Sequence, residues 1–284
     1  TAPRGTHTGS ISLVAGKKYT FRARFMENGF GDELYLFWQK PSETSGTVWY
    51  QDIEELSSEV VLPNGLVFNL DPSNWFSYPK SGTSAYDISA NKYVTTLTNG
   101  VGFNANDGKG VFTFDGVDDY ILTGQSMATE QFTIGAWIKS SNSSSIFRMI
   151  LGKEPSDANA WNYRIYLNIN DGYLIGDIKS NGTLKYIMHP VNMADGTWRY
   201  VIFSRDTATS TFNLYVNGVL VNSISDTSTG SLSQSQVVWV GRSPYLGGSY
   251  PFLGSISDVC IYNRALTADE VFQNYNATKT KYGY

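Results

Sequence analysis

Short runs rich in hydrophobic, β-branched and aromatic residues alternate with polar turn segments along most of this chain. These runs recur from residue 65 to residue 262, and Gly, Asn, Asp or Ser residues separate them. Runs of this composition that are bounded by turn residues predict β-strands. Examples are the runs GVFTFDG, FTIGAWIKS, NYRIYLNIN, WRYVIFSRD and FLGSISDVCIYNR. Many short strands at regular spacing predict a sandwich or a barrel.

Turn signals between these runs indicate where hairpins form. In YVNGVLV, Asn217 and Gly218 suit a two-residue type I′ turn, and NDGYL and SNGTL are similar signals. A single segment, LTADEVFQNYNATK, predicts a helix. There Thr267 can cap the first turn and Glu270, three residues later, completes a capping box.

The order of the strand runs resembles a laminin-G-like domain of the concanavalin-A-like lectin/glucanase superfamily. The similar segments span about residues 65–280 and include GVFTFDGVDDYI, FTIGAWIK and GTWRYVIFSRDTATSTFNLYVNGVLV. The ending G-x-I-x-D-V-x-I-Y-N-R-A-L-T followed by a helix is typical of the bacterial and viral branch of that family. The resemblance implies that Leu66–Leu70 pairs near the last strand, Ile256–Tyr262. We therefore expect residues 61–284 to form an all-β antiparallel jelly-roll sandwich with one short C-terminal helix.

The first 60 residues carry a separate pattern. Residues 17–25 and 33–40 alternate on either side of the turn ENGFGDE, which predicts a β-hairpin. ISLVAGKKYTFRARFMENGFGDELYLFWQKPS and the following VWYQDIEEL resemble the closing part of a protective-antigen-type β-barrel domain. We expect residues 1–60 to be the C-terminal portion of such a domain, so the chain is expected to belong to a longer protein.

Composition excludes several classes of partner. The net charge is −4 and no basic stripe is present, so we expect no nucleic acid partner. No apolar run approaches the ~18 residues of a membrane span, so we expect no membrane insertion. The single cysteine, Cys260, excludes an internal disulfide, and its place in the run ISDVCIY predicts a buried, inert thiol.

The sequence lacks the usual signatures of catalysis. The resemblance to glucanases implies a Glu-x-Asp-x-Glu run on one strand, and no such run is present. His7 and His189 are the two histidines; neither lies in a metal-binding pattern, and His189 is expected in a turn before Pro190. We therefore expect a protein that is not an enzyme.

The segment FDGVDDYI holds three aspartates within five positions. One interpretation is a hairpin loop whose carboxylates face water or accept hydrogen bonds from turn amides. The other is a calcium site, because calcium takes oxygen ligands from carboxylates and carbonyls. Many members of the superfamily hold one structural calcium ion. The resemblance thus implies that Asp115 and Asp118 bind calcium, with Asp258 of the closing strand completing the site.

Two segments have the composition of a sugar-binding surface, in which aromatic faces and polar side chains combine. They are KEPSDANAWNYR (153–164) and RSPYLGGSYPF (242–252). The candidate ligand-binding residues are Asp157, Asn159, Trp161, Tyr163, Arg242, Tyr245 and Tyr250. The alternative for each aromatic residue is packing over the rim of the sandwich. The aromatic segment SNWFSY (73–78) has the same two interpretations.

These observations favour a non-enzymatic structural or adhesion module at the surface of a virion or of a cell. Such a module decorates a capsid, neck or tail fibre, or belongs to a cell-surface assembly, and recognises glycans or docks to neighbouring structural subunits. One alternative is a calcium-dependent lectin module of a secreted bacterial protein. Another is an accessory carbohydrate-binding domain of an extracellular polysaccharide-degrading enzyme. The fold does not decide among them, because laminin-G-like sandwiches serve all of these roles.

Overall fold

The computed structural model describes residues 61–127, 129–141, 147–154, 162–168, 171–180, 182–228, 231–232, 235–244 and 250–284. The chain divides into two compact units, Thr1–Ser58 and Glu59–Tyr284. The predicted N-terminal hairpin, and with it the protective-antigen-like segment, lies outside the described residues.

The described part of the second unit consists of short strands followed by one helix. The strands are β1 (Leu66–Leu70), β2 (Ser84–Tyr86), β3 (Val94–Thr98), β4 (Gly102–Asn104), β5 (Val111–Asp115), β6 (Tyr120–Leu122), β7 (Phe132–Lys139), β8 (Arg148–Lys153), β9 (Tyr163–Leu167), β10 (Tyr173–Ser180), β11 (Thr183–Asn192), β12 (Arg199–Asp206), β13 (Thr211–Val216), β14 (Val219–Ser225), β15 (Val238–Val240) and β16 (Leu253–Tyr262). Helix α1 (Ala268–Thr278) and a short 3₁₀ helix (Lys279–Tyr282) close the chain. No helix among the described residues is long and apolar enough to cross a membrane.

The strands form two antiparallel sheets. Sheet 1 has the order β14-β13-β12-β7-β16-β5-β4, and β1 also pairs with β16. Sheet 2 has the order β11-β10-β9-β8-β15-β6-β3-β2. The predicted fold, an antiparallel jelly-roll sandwich with one short C-terminal helix, is confirmed.

The alternation in the sequence explains where the core lies. On β7, Phe132, Ile134, Ala136 and Ile138 are buried in the main core between the sheets. Trp137, at the opposite parity, belongs to a second buried cluster with residues of α1 and of the C-terminal segment. The side of β7 that carries Trp137 is therefore also largely buried, since helix α1 and the C-terminal segment pack against it.

Three local predictions are confirmed. Strand β1 pairs with β16, with Leu66 opposite Tyr262. Asn217 and Gly218 both have positive φ, at 50° and 80°, as a type I′ turn requires. Helix α1 starts with the predicted capping box, in which Thr267 accepts a bond from the Glu270 amide and the Glu270 side chain bonds the Thr267 amide.

Two local predictions are wrong. The segment FDGVDDYI does not close a hairpin, because β5 belongs to sheet 1 and β6 to sheet 2, although its carboxylates do accept bonds from turn amides, as that interpretation expected. It is a connection that crosses between the sheets. His189 lies within β11, opposite Leu174, rather than in a turn. Strand β11 is the last in its sheet, where Pro190 can lack an amide hydrogen without breaking an inner ladder.

Candidate functional site

The connection between β5 and β6 gathers three carboxylates. One ligand oxygen from each of Asp115, Asp118 and Asp119 lies within 4.8 Å of the others. The amide of Val117 donates to Asp115 Oδ1 at 2.8 Å, and Gly116 takes a positive φ of 80° that lets the chain turn sharply. We call residues 115–119 the aspartate turn.

Asp119 is the buried member of the aspartate turn. Its side chain is 3% exposed, and Oδ2 accepts a 2.9 Å bond from the Asp115 amide. Oδ1 has no hydrogen-bond partner within the described part of the chain. Burial, together with the charges of Asp115 and Asp118, raises the pKa of the Asp119 carboxyl. A buried carboxylate oxygen without a partner is unfavourable, and a bound cation would relieve it.

The geometry of the turn fits a calcium ion. Oxygen ligands of one calcium ion lie about 2.3–2.6 Å from the metal, so two of them are at most ~5 Å apart. The 4.8 Å limit for the aspartate oxygens agrees with that span. The three residues would hold the ion, and further oxygen ligands would have to come from carbonyls or water.

Asp258 does not join this group. Leu253 on β16 lies opposite Asp115, and Asp258 is five residues further along the strand. Its carboxylate accepts bonds from Lys281 Nζ at 3.1 and 3.2 Å and from the Tyr282 hydroxyl at 3.0 Å. The expected completion of the metal site by Asp258 is therefore not made, because the strand register places that side chain under the C-terminal 3₁₀ helix.

An aromatic pair adjoins the aspartate turn on the outer face of sheet 2. Tyr120 follows the turn directly, and its ring centroid lies 4.6 Å from that of Trp239 on β15. Both side chains are partly buried, whereas their neighbours Ile121, Val238 and Val240 are fully buried. We call Tyr120 and Trp239 the aromatic platform.

Arg242 links the platform to the turn. Its guanidinium lies 6.0 Å from the centroid of the Tyr120 ring, and Nη1 donates to the Asp118 carbonyl at 3.0 Å. A partly exposed aromatic pair flanked by a guanidinium and by carboxylates can stack on a sugar ring and bond its hydroxyls.

The aromatic platform was not predicted from the sequence. The sequence VVWV held an indication of it, because Trp239 stands between Val238 and Val240 and its side chain therefore points to the opposite face of the strand from these two buried valines. A large aromatic residue at an outward position of a strand is a candidate for binding. What the sequence did not show was that β6 and β15 are neighbours, which brings Tyr120 to Trp239.

A row of paired positions extends from the platform across sheet 2. Trp239 lies opposite Gly152, Gly152 opposite Arg164, Arg164 opposite Asp177, and Asp177 opposite Tyr186. Residues directly opposite in an antiparallel pair share a face. The outer face of sheet 2 therefore carries aromatic and charged residues in one line.

Arg164 is the centre of a buried ion network in this row. It pairs with Asp177 and, at 3.0 Å, with Glu154, and the Tyr166 hydroxyl donates to Asp177 at 3.1 Å. Ser243 donates to the other oxygen of Glu154. Burial raises the pKa of the Glu154 carboxyl and of the Tyr166 phenol. Because both acids bond Arg164 and are almost fully buried, they hold the scaffold rather than face a substrate.

The Ser243–Glu154 bond also relates the two predicted sugar-binding segments. Glu154 is at the end of β8, and Ser243 follows β15. The bond brings the starts of both segments together beside two neighbouring inner strands of sheet 2. The members Asp157, Asn159, Trp161 and Tyr245 lie outside the described residues.

The three predicted ligand-binding residues that the structure describes, Tyr163, Tyr250 and Arg242, differ in burial and in contacts. Tyr163 is fully buried, and its ring lies 4.7 Å from that of Phe132, so its prediction as a ligand-binding residue is wrong. Its parity on β9 puts it with Ile165 on the inner face. Tyr250 is half-buried and packs edge-to-face on Phe147 with centroids 5.1 Å apart. Arg242 is the one of the three that reaches the aromatic platform.

The family of the chain follows from its sequence match. The laminin-G-type sequence model of the concanavalin A-like lectin/glucanases superfamily matches residues 114–272, more than half of the 284 residues. The chain belongs to this superfamily. The match starts near the end of β5 and includes the aspartate turn, the aromatic platform and the first five residues of α1. No curated protein matches this superfamily member significantly.

Solved structures with the same fold include toxin binding domains. The binding domain of Paraclostridial Mosquitocidal Protein 1 is 18% identical, with a TM-score of 0.59 over 75% of this chain and 52% of its own. Another structure comes from work on botulinum neurotoxin type C, whose cell entry is described as dependent on interaction with two ganglioside molecules. It is 14% identical, with a TM-score of 0.57 over 75% of this chain and 51% of its own.

A third structure is the binding domain of botulinum neurotoxin DC in complex with SialylT. It is 13% identical, with a TM-score of 0.57 over 76% of this chain and 52% of its own. The laminin-G-type chain thus spans about half the length of these structures. At these identities, the similarity establishes the fold alone.

Proposed function

We propose that this laminin-G-type domain is a non-enzymatic glycan-recognition module, and that the aromatic platform is its contact with sugar. The observation that carries this proposal is the partly exposed pair Tyr120 and Trp239, whose ring centroids lie 4.6 Å apart beside Arg242 and the aspartate turn. The solved structures support it, since two of them are titled for ganglioside dependence and for a complex with SialylT.

The module is proposed to act at the surface of a virion or of a cell, where it also contacts neighbouring structural subunits. A non-enzymatic role is supported by the state of the carboxylates on sheet 2. Asp177 of the outer-face row and the nearby Glu154 both pair with Arg164, so neither is a free carboxylate. A glycosidase instead needs one free acid and one free carboxylate on either side of the scissile bond.

We expect Trp239→Ala to weaken glycan binding at least about fivefold, if a stacked sugar ring contributes as much as the lower figure of about 1 kcal/mol for a base stacked on an aromatic side chain. A glycan array would first identify the ligand of the wild-type protein, and titration calorimetry would then compare the variants. Phe272→Ala removes an exposed aromatic residue of α1 and is the matched control. Equal affinities of Trp239→Ala and wild type would exclude the aromatic platform as the sugar contact. A wild-type protein that binds no glycan would exclude glycan recognition as the function.

The aspartate turn is proposed to hold one structural calcium ion. The support is the group of three carboxylates and the unpartnered Oδ1 of buried Asp119. Calcium would neutralise the turn and fix the Asp118 carbonyl that accepts from Arg242. The ion would therefore hold Arg242 in place beside the aromatic platform.

Calcium should raise the melting temperature of the wild-type protein by several degrees, because a ligand at ~100 times its Kd adds about 2.7 kcal/mol. Asp115→Asn and Asp119→Asn should lose most of this rise, since each removes a charged ligand. Differential scanning calorimetry in calcium and in excess chelator measures the effect. Asp269→Asn, at an exposed position of α1, is the control and should keep the rise. Equal melting of wild type in both buffers would remove the proposal.

The two settings for the module can be separated by the native mass and negative-stain image of the protein from its source. A particle or fibre with this chain at regular positions supports a virion or surface assembly. A free monomer instead supports the secreted lectin or the accessory domain of a polysaccharide-degrading enzyme.

A further inference from the structure

Two large aromatic side chains are held in solvent by the turn that follows β1. Trp75 is 64% exposed and Phe76 is 81% exposed. The next two residues, Ser77 and Tyr78, are buried. Single exposed apolar residues are ordinary on protein surfaces, but two adjacent large aromatics form a patch, and such patches mark interaction sites.

The turn that carries these aromatics is built into the core. The Asn74 carbonyl accepts from the amides of Ser77 at 3.0 Å and Tyr78 at 2.9 Å, and Asn74 Oδ1 accepts from the Phe76 amide at 2.9 Å. The buried Tyr78 ring packs edge-on against Phe112, with centroids 5.1 Å apart. The backbone beneath Trp75 and Phe76 is therefore fixed from both sides, and the two rings project from it.

Two lysines lie beside this turn. Lys80 follows the buried Tyr78 closely, and Lys109 precedes Gly110, where an added Cβ would lie 3.2 Å from the Cα of Ser73. Both lysines are exposed, and neither forms an ion pair within the described residues. The patch thus combines two exposed rings with two positive charges. We call Trp75, Phe76, Lys80 and Lys109 the aromatic tip.

The acids near the aromatic tip are already neutralised. Asp71 bonds Lys281 at 2.7 Å, and Asp107 bonds Lys139 at 3.0 Å. The polar atoms of the turn are also used internally, as Ser73 Oγ donates to Asp71 Oδ1 at 2.6 Å. The tip therefore presents apolar rings and positive charge, with few free acceptors for a sugar or a basic partner.

The aromatic tip is distinct from the aspartate turn. Strand β5 runs from Val111 to Asp115, so Gly110 beside the tip and the aspartate turn lie at opposite ends of one strand. The rings of the tip lie on the connection between β1 of sheet 1 and β2 of sheet 2, whereas the aromatic platform is carried by β6 and β15 of sheet 2. A ligand of the tip would not compete with a glycan on the platform.

We propose that the aromatic tip docks this domain on an anionic lipid surface. Tryptophan and phenylalanine favour the boundary between headgroups and acyl chains, and lysines are attracted to anionic headgroups. Rings that protrude from a fixed turn can enter that boundary without any membrane-spanning segment. The unneutralised lysines favour this partner over an uncharged glycan, and the protruding shape favours it over a ligand that needs a groove.

Vesicle flotation of the full chain tests the proposal. The protein is mixed with vesicles of phosphatidylcholine and phosphatidylglycerol, or of phosphatidylcholine alone, and neither contains a glycolipid. We expect wild type to float with the anionic vesicles. The double variant Trp75→Ser/Phe76→Ser should partition onto them at least about tenfold less, since it lacks the two rings that would be buried in the lipid. Lys80→Glu/Lys109→Glu should lose the preference for anionic lipid, and added salt should weaken binding.

The matched control is Phe272→Ser, which removes an exposed ring of α1 and should float like wild type. The substituted side chains at the tip are exposed, so equal melting temperatures will show that each variant is folded. Wild type that stays in the bottom fraction with anionic vesicles would overturn the proposal. Equal flotation of wild type and Trp75→Ser/Phe76→Ser would also overturn it. Because the vesicles carry no sugar, neither result bears on glycan recognition.

Discussion

Replacing Trp137 with Ala should lower the free energy of unfolding by about 3–5 kcal/mol. Trp137 is fully buried on the side of β7 that faces α1. Its ring stacks on Tyr282 with centroids 4.2 Å apart, and its indole N–H donates to Thr278 Oγ1 at 2.8 Å. Truncation would leave a cavity and remove contacts that hold both C-terminal helices on the sheet. The lost free energy of unfolding therefore includes side-chain packing and a buried hydrogen bond.

Denaturant unfolding followed by circular dichroism measures this loss. For a domain of this size, 3–5 kcal/mol corresponds to a fall in melting temperature of roughly 6–20 °C. Trp137→Phe is the conservative control, because it keeps an aromatic ring against Tyr282 and loses the bond to Thr278. We expect it to lose about 1–3 kcal/mol, and it remains measurable where the alanine variant does not fold. A loss below about 1 kcal/mol for Trp137→Ala would show that the helices do not depend on this contact.

The second large effect is a fall in stability as the pH rises from about 4 to about 7, because burial raises the pKa of Asp258 from 3.8 to about 7. Asp71 and Asp258 share the ammonium of Lys281, and the Tyr282 hydroxyl also bonds Asp258. Two carboxylates therefore compete for one cation inside the protein. The burial penalty and the negative charge of Asp71 favour a proton on Asp258.

The direction of the pH effect follows from proton binding. Between the unfolded pKa of 3.8 and the folded pKa of about 7, the folded protein holds a proton that the unfolded chain has lost. The stabilisation from this proton is fully present below the unfolded pKa and is lost as the pH rises through the folded pKa. The full difference is at most about 4 kcal/mol, at 1.36 kcal/mol per pKa unit. The lowered pKa of Asp71 acts in the opposite direction, below its ordinary value of 3.8.

Asp258→Asn isolates this contribution, because the amide resembles the protonated acid and cannot ionise. We expect the free energy of unfolding of wild type to fall over this pH range and that of the variant to change much less. Urea unfolding at a series of pH values gives both curves. Asp195→Asn, at a half-exposed surface carboxyl, should retain the wild-type slope. Parallel curves for wild type and Asp258→Asn would show that Asp258 does not carry the proton.

The contacts of Asp258 with Lys281 and Tyr282 explain why this residue is not a ligand of the proposed metal site. Asp258 has a positive φ of 45°, at an irregularity in the pairing of β16 with β7 between Ser257 and Cys260. The irregular backbone turns the carboxyl toward Lys281, 23 residues away in the chain. Strand alternation alone assumes regular pairing, so it does not predict this direction.

Local sequence determined most of the elements of this protein. Runs of β-branched and aromatic residues between turn residues predicted the strands, because such side chains pack well on a sheet face, and Asn217-Gly218 predicted its turn because that turn needs two positive φ values. The capping box at Thr267 and Glu270 predicted the start of α1, since these side chains bond amides within three residues. In each case the deciding interactions lie within a few residues or depend on one periodicity.

Only the tertiary structure decided which of the chemically active residues meet. The aspartate turn crosses between the two sheets instead of closing a hairpin, and Tyr120 meets Trp239, 119 positions later in the sequence, because β6 and β15 are neighbours. Tyr163 faces the core rather than a ligand, because the side of β9 that carries it is covered by sheet 1. Strand order and sheet assignment depend on contacts between distant segments, and a strand's own sequence does not specify its neighbour.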